Sequence, residues 1–314
     1  MTKNSSDPFG TLSIGNVVTT GTILYRSNLK RYLQVSLRAT AWVVAIFAAA
    51  IGLMLIGGVL FSLTQSWLPV VIPLVVVWFG LSLYLSAKSL TDRAVICRLA
   101  YQELIDAPET VDAATRQLLP RTWAFLRLSL LLGLYLSLLV IVGYILFAIA
   151  IGLMVALLMS VAQLSPDNGV FVVFIILLSV VFFVLLVALI VRFYAAWFVA
   201  ELPLAVEPIT SANFSIRRSR QLSNNVIGKL VLIITVAFLI TIPLSSIGST
   251  PSFIGQLMSV SSTDSAKVVG GVLTIVGFFV SLAIELLIMP FWQIIKAIVY
   301  FDLRNRQEGN DLII

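Results

Sequence analysis

The chain has 314 residues, 60% of them hydrophobic and only 11% charged, with a net charge of +6. A soluble domain carries about 25% charged residues, so a water-soluble globule is excluded, and a mean hydropathy of +1.08 points to lipid as the solvent. Histidine is absent and Cys97 is the single cysteine, which excludes Ser-His-Asp and Cys-His catalysis, histidine-ligated zinc or haem, and an intrachain disulfide.

Taken in chain order, residues 1–22 lack the basic start and short apolar core of a signal peptide and end in no cleavage site. They are expected to form a cytoplasmic tail. A run of about 20 apolar residues crosses the hydrocarbon core, and six such runs are predicted, at 40–63, 68–87, 127–164, 169–191, 230–247 and 268–300. The expected fold is therefore an all-α integral membrane protein. Its six transmembrane helices form three hairpins within a membrane domain over 23–300, with cytoplasmic interfacial helices and a cytoplasmic C-terminal tail at 301–314.

Residues 23–39 lead into the first span. Leu29, Leu33 and Leu37 recur every four residues beside Lys30, Arg31 and Arg38. That pattern suits an interfacial helix at the headgroups, or equally an extension of the next span. Residues 88–120 carry Cys97, read as a passive thiol, a break at Pro108, and an acidic middle of Glu103, Asp106, Glu109 and Asp112. A solvated helical pair is expected there.

The third span would be about 57 Å long as a helix, against a hydrocarbon core of about 30 Å. One long tilted helix, with Arg127 snorkelling at its start, fits better than two crossings. Ala148, Gly152, Ala156 and Ser160 repeat at i+4 along it, and Ala48 and Gly52 do so in the first span. Small residues let membrane helices approach closely, so both faces are expected to meet neighbouring helices.

Residues 210–229 lead into the fifth span. Thr210 or Ser211 can cap a helix that places Arg217, Arg218 and Arg220 at anionic headgroups. In the sixth span Pro290 predicts a kink. Thr274, Ser281, Glu285 and Lys296 fall on one stripe at 100° per residue, with Gly277 beside it. A carboxylate inside a span is costly, so Glu285 is expected to face protein or water, with Arg192 of the fourth span as a partner of matching depth. Beyond the span, Arg304 and Arg306 are further candidates for anionic-lipid contact, with Asp302 and Glu308 within reach for ion pairing.

Nineteen of the 20 basic residues lie on alternate connections or at the termini; only Lys267 falls on the other side. The positive-inside rule then puts both termini in the cytoplasm. It also accounts for the net charge without a nucleic-acid partner. The plan of basic lead-in, span, turn and returning span occurs three times, with lead-ins at 23–39, 117–127 and 210–229. Neither a P-loop, a GxGxxG after a strand nor HExxH occurs. No cofactor, metal site or catalytic residue is predicted.

Three stretches carry a resemblance. They are Pro8-Phe9-Gly10-Thr11-Leu12-Ser13-Ile14-Gly15 with Leu24-Tyr25-Arg26-Ser27-Asn28-Leu29; Glu207-Pro208-Ile209 with Ile216-Arg217-Arg218-Ser219-Arg220-Gln221-Leu222-Ser223-Asn224-Asn225; and the tail Tyr300-Phe301-Asp302-Leu303-Arg304-Asn305-Arg306-Gln307-Glu308-Gly309. Together they make the chain similar to the bacterial multi-span family known as the glycerophosphoryl diester phosphodiesterase membrane domain. In that family some members join this membrane part to a soluble catalytic barrel. No stretch between the spans is long enough for the barrel, and its histidines have no counterpart here. The resemblance therefore implies no phosphodiesterase activity and no catalytic residue.

The expected function is that of a non-enzymatic scaffold or accessory protein linked to envelope or lipid homeostasis. Its expected partners are membrane lipids, anionic ones included, and protein partners whose identity the sequence leaves open. The alternative is a small transporter or channel-like protein with Glu285 in its pathway. A polar cavity lined by Glu285 and crossing the bundle would favour the alternative.

Overall fold

The structure, a computed structural model, describes residues 14–160, 169–208, 211–261 and 263–310, with side chains to residue 307. The motif at residues 8–13, the cap at Thr210, the last four residues of the third span and the side chain of Glu308 lie outside the described residues.

In hydrocarbon every backbone polar group must be satisfied within its own segment, and the apolar runs accordingly become helices. The order is α1 (Ile14–Ser27), α2 (Leu29–Thr64), α3 (Leu68–Leu104), α4 (Val111–Leu118), α5 (Thr122–Ser160), α6 (Gly169–Trp197), α7 (Glu201–Val206), α8 (Ala212–Ser223), α9 (Ile227–Ser259) and α10 (Asp264–Asn310). Six of these are long and apolar enough to span a membrane. They pair as three hairpins, α2 with α3, α5 with α6, and α9 with α10. A short helix precedes each hairpin: α1, α4 and α8. The chain is an all-α multi-pass membrane protein.

The location of the core shows how lipid is used as solvent. In the most apolar stretch of each long helix, between 0% and 22% of the residues are buried. The packed core lies instead at the basic ends of the helices, where Tyr32, Ile96, Leu99, Leu118, Leu202, Leu230, Ile294 and Tyr300 are all buried. Large contiguous apolar surface on a water-soluble monomer would be an aggregation site; here it is the lipid-facing surface. The helices run past their spans to build this cap. The 47 residues of α10 make a rod of about 70 Å.

The expected solvated pair at 88–120 is corrected. Residues 88–104 continue α3 into the cap, and Ala94, Val95, Ile96, Cys97, Leu99 and Ala100 are buried. Arginines neutralise the carboxylates around this segment, so its apolar face can turn inward. Arg38 binds the buried Asp92 at 2.5 Å, and Trp42 Nε1 donates to the other carboxylate oxygen at 3.0 Å. Arg31 pairs with Glu103 and Arg98 with Glu109, each at 2.7 Å. The expected N-terminal tail is helical from Ile14. Val17 is buried, and Gly21 sits so close to Ile295 that an added Cβ would lie 2.8 Å from its Cδ1. In the lead-in to the first span, Tyr32, Val35 and Ser36 turn inward, while Leu29 and Leu37 are exposed.

Pro290 lies inside an unbroken α10. Proline has no N–H, so the carbonyl four residues back loses its helical donor. That carbonyl belongs to Leu286, and the hydroxyl of Ser36 donates to it at 2.7 Å. Tyr25 Oη donates to the next carbonyl, Leu287, at 3.0 Å. The proline thereby creates an acceptor that ties α2 to α10.

Close small-residue packing occurs between α9 and α10. A Cβ on Gly255 would lie 2.5 Å from Thr274 Oγ1 and 2.6 Å from Gly270 O. Gly277 presses against Ser252, and Ser281 Oγ donates to Gly248 O at 2.8 Å. The ladder expected in the third span is corrected: Ala148, Gly152, Ala156 and Ser160 are exposed on α5, and nothing approaches Gly152. Gly143, against Leu186, and Phe147, stacked on Phe182 at 4.1 Å, form the face that meets α6. The ladder is one residue, about 100°, off that face. Gly52 likewise has no neighbour within 4 Å.

Candidate lipid-headgroup site

After Trp197 the α6 helix ends, and its last carbonyls need donors from elsewhere. They come from α8. Ser219 Oγ donates to Ala196 O at 3.0 Å, and Ser215 Oγ donates to Ala200 O at 2.5 Å. Two serines four residues apart share one helix face, so these bonds set the rotation of α8. Ala212, Ser215, Ile216, Ser219, Leu222 and Ser223 are buried. Phe214, Arg217 and Arg220 are left on the exposed face.

This rotation separates the arginine cluster singled out in the sequence. Arg217 and Arg220, three residues apart, point outward and make no hydrogen bond or ion pair to any described residue. Arg218, one residue round, turns inward and lies 3.8 Å from Glu207. Glu207 also accepts a short hydrogen bond from Tyr300 Oη. Arg121 Nη1 donates to the backbone carbonyls of Leu204 and Glu207 at 2.9 and 2.7 Å. Arg218 therefore helps hold α8 to the cap, while its two neighbours are free to meet a ligand.

Arg217 and Arg220 stand over a crevice between α5, α6 and α8, with a volume of about 650 Å³. Tyr135, Leu138 and Val142 of α5 line one side, Phe193 and Trp197 of α6 the other, and Asn213 and Ile216 of α8 close it. The Tyr135 and Trp197 rings lie 5.8 Å apart. Asn213 also lines a second cavity of about 580 Å³, with Arg127, Leu130, Leu131 and Leu134 of α5 and with Ser211 and Ala212. Arg127 is exposed and has no partner among the described residues. Basic side chains above an apolar, aromatic wall match an anionic headgroup with its acyl chains attached.

The other residues predicted for sites lie elsewhere. Arg304 donates to Tyr101 Oη at 3.0 Å and Arg306 pairs with Asp302 at 2.6 Å, both on the cap. Thr274 and Ser281 belong to the α9–α10 packing described above. Glu285 is exposed on α10, one residue before the Leu286 carbonyl that Ser36 binds. Arg192 is exposed on α6, and no hydrogen bond or ion pair joins it to Glu285. Helical phase alone put Glu285 with the packed stripe. One residue before it, Ile284 is buried and meets α9 at Gly248.

A buried ionic pair was missed in the sequence. Lys296 Nζ donates to Glu201 Oε2 at 3.1 Å, joining α10 to α7, and lies 5.9 Å from the Phe198 ring centre. Gln293 and Cys97 are buried beside it, with Cys97 Sγ 3.0 Å from Gln293 Oε1. The available signal was a lysine near the end of an apolar span, which needs an acidic partner from another segment. No family model, curated protein or solved structure matches the chain.

Proposed function

We propose that this chain is a non-enzymatic accessory protein of the bacterial inner membrane that engages anionic phospholipid at the crevice between α5, α6 and α8. In this reading the basic cap faces the cytoplasm, both termini lie there, and the protein serves envelope or lipid homeostasis as a scaffold. The observation that carries it is the pair Arg217 and Arg220, exposed, without a partner among the described residues, and lining one crevice with Tyr135, Leu138, Val142, Phe193 and Trp197. A small water-soluble anion gains nothing from Leu138, Val142 and Phe193, whereas a lipid uses both halves of the surface. The resemblance to the glycerophosphoryl diester phosphodiesterase membrane domain is to bacterial multi-span inner-membrane proteins. The phosphodiesterase activity itself is not transferred. The transport alternative is the second reading here, because Glu285 lines neither of the two cavities described.

The test is quenching of Trp197 by brominated lipids, with Trp197→Phe as the background. Brominated phosphatidylglycerol should quench more strongly than brominated phosphatidylcholine. Each headgroup-level arginine contributes about 1 kcal/mol. The double variant Arg217→Ala/Arg220→Ala should therefore weaken phosphatidylglycerol binding by about 30-fold. Equal quenching by the two lipids would refute the site. Labelling of Arg306→Cys by an impermeant maleimide added outside intact cells would refute the orientation.

A further inference from the structure

We infer that the site selects a lipid carrying two phosphodiesters joined by a short polyol bridge, over lipids with one phosphate. This rests on the reading that the crevice takes anionic lipid, and it concerns the two cavities together. Asn213 lines both, and each has its own basic and leucine side chains in its lining. At one pole Arg217 and Arg220 stand above Leu138 and Val142. At the other, Arg127 stands above Leu130 and Leu134, beside the start of α8.

The second pole is more than a single arginine. The first backbone N–H groups of a helix have no intrahelical acceptor and carry partial positive charge. Ser211 makes no side-chain capping bond to them. Ser211, Ala212 and Asn213 at this helix start line the second cavity together with Arg127. Neither cavity is lined by a carboxylate, so nothing in the lining neutralises the three guanidinium groups.

Spacing argues for a single ligand. From Asn213 to the middle of the Arg217–Arg220 pair is about 8 Å along α8. A glycerol bridge between two phosphodiesters spans that distance, given the reach of arginine side chains. A lipid with one phosphate fills one pole and leaves the other unmatched. The two leucine-lined floors then receive acyl chains from the two halves of the same molecule.

The experiment titrates delipidated full-length protein in neutral detergent with diphosphatidylglycerol and with phosphatidylglycerol at equal phosphate. Trp197 fluorescence and native mass spectrometry are the readouts. One diphosphatidylglycerol per chain should bind on the order of tenfold more tightly than phosphatidylglycerol, as one further cation and a helix start imply. Arg127→Ala should abolish that difference, so that diphosphatidylglycerol binds no more tightly than phosphatidylglycerol. Arg127→Lys should keep part of the difference. Inorganic pyrophosphate at the same phosphate concentration should displace neither lipid.

Two phosphatidylglycerols binding as tightly as one diphosphatidylglycerol would overturn the inference. So would a preference that survives Arg127→Ala, or displacement by pyrophosphate. If neither anionic lipid binds better than phosphatidylcholine, the anionic-lipid reading itself fails. Arg127 is exposed, so its replacement leaves the cap packed, and unchanged protection of Cys97 from maleimide verifies this.

Discussion

Removal of Lys296 should loosen the cap by an amount that Cys97 can report. Lys296 and Glu201 hold α10 against α7 through a contact of 3.1 Å, with side chains 13% and 26% exposed. Lys296→Met keeps the bulk of the stem but strands the carboxylate beside Leu90, Phe125 and Leu128, which share a small cavity with it. Breaking a buried pair by deleting one partner costs about 3–5 kcal/mol. Glu201 is a quarter exposed, so water recovers part of that. The expected cost is about 2–3 kcal/mol once this screening is allowed for. Cys97 is the single cysteine and fully buried, so maleimide labels it only when the cap opens. Where opening and closing are fast, the labelling rate follows the open population. Lys296→Met should raise the rate about 30- to 150-fold relative to wild type, each normalised to the unfolded chain. The double variant Lys296→Met/Glu201→Leu removes the stranded charge and should return close to the wild-type rate. Wild-type labelling in Lys296→Met, or a double variant as fast as the single, would refute the argument that an uncompensated charge is what destabilises.

Gly255→Val should destabilise the α9–α10 hairpin by about 1–3 kcal/mol through overpacking, read as a lowered unfolding temperature in detergent, whereas Gly152→Val on the outward face of α5 should leave it unchanged. Equal effects would contradict the packing assignment. Ser36→Ala should cost about 1–2 kcal/mol, because the Leu286 carbonyl opposite Pro290 loses its donor; Pro290→Ala in the same background should recover most of it by restoring the helical N–H. Glu285→Gln should alter neither Cys97 protection nor ion flux in proteoliposomes. A flux that the wild type supports and Glu285→Gln abolishes would restore the transport alternative.

The candidate site was half legible in the sequence. The cluster Arg217, Arg218 and Arg220 stood out by charge, but sequence alone treats the three alike. Ser215 and Ser219 decide between them, by reaching the Ala196 and Ala200 carbonyls and so fixing the rotation of α8. Glu207 then draws Arg218 inward. Asp92 and Glu201 attracted little notice because their partners, Arg38 and Lys296, lie far away along the chain.

Composition alone determined that lipid is the solvent, that six segments cross it, and that they return as hairpins. These outcomes follow from local physics, since each apolar segment must satisfy its own backbone and is about as long as a bilayer is thick. Which faces meet was left to tertiary structure. A helix such as α5, apolar all round, carries no periodic signal to mark its packed side. The tertiary structure therefore turned the Ala148–Gly152–Ala156 ladder outward and gave close packing to Gly255 and Gly277. It also put the buried core at the basic end, because only where the helices leave the hydrocarbon does burying apolar surface remove it from water.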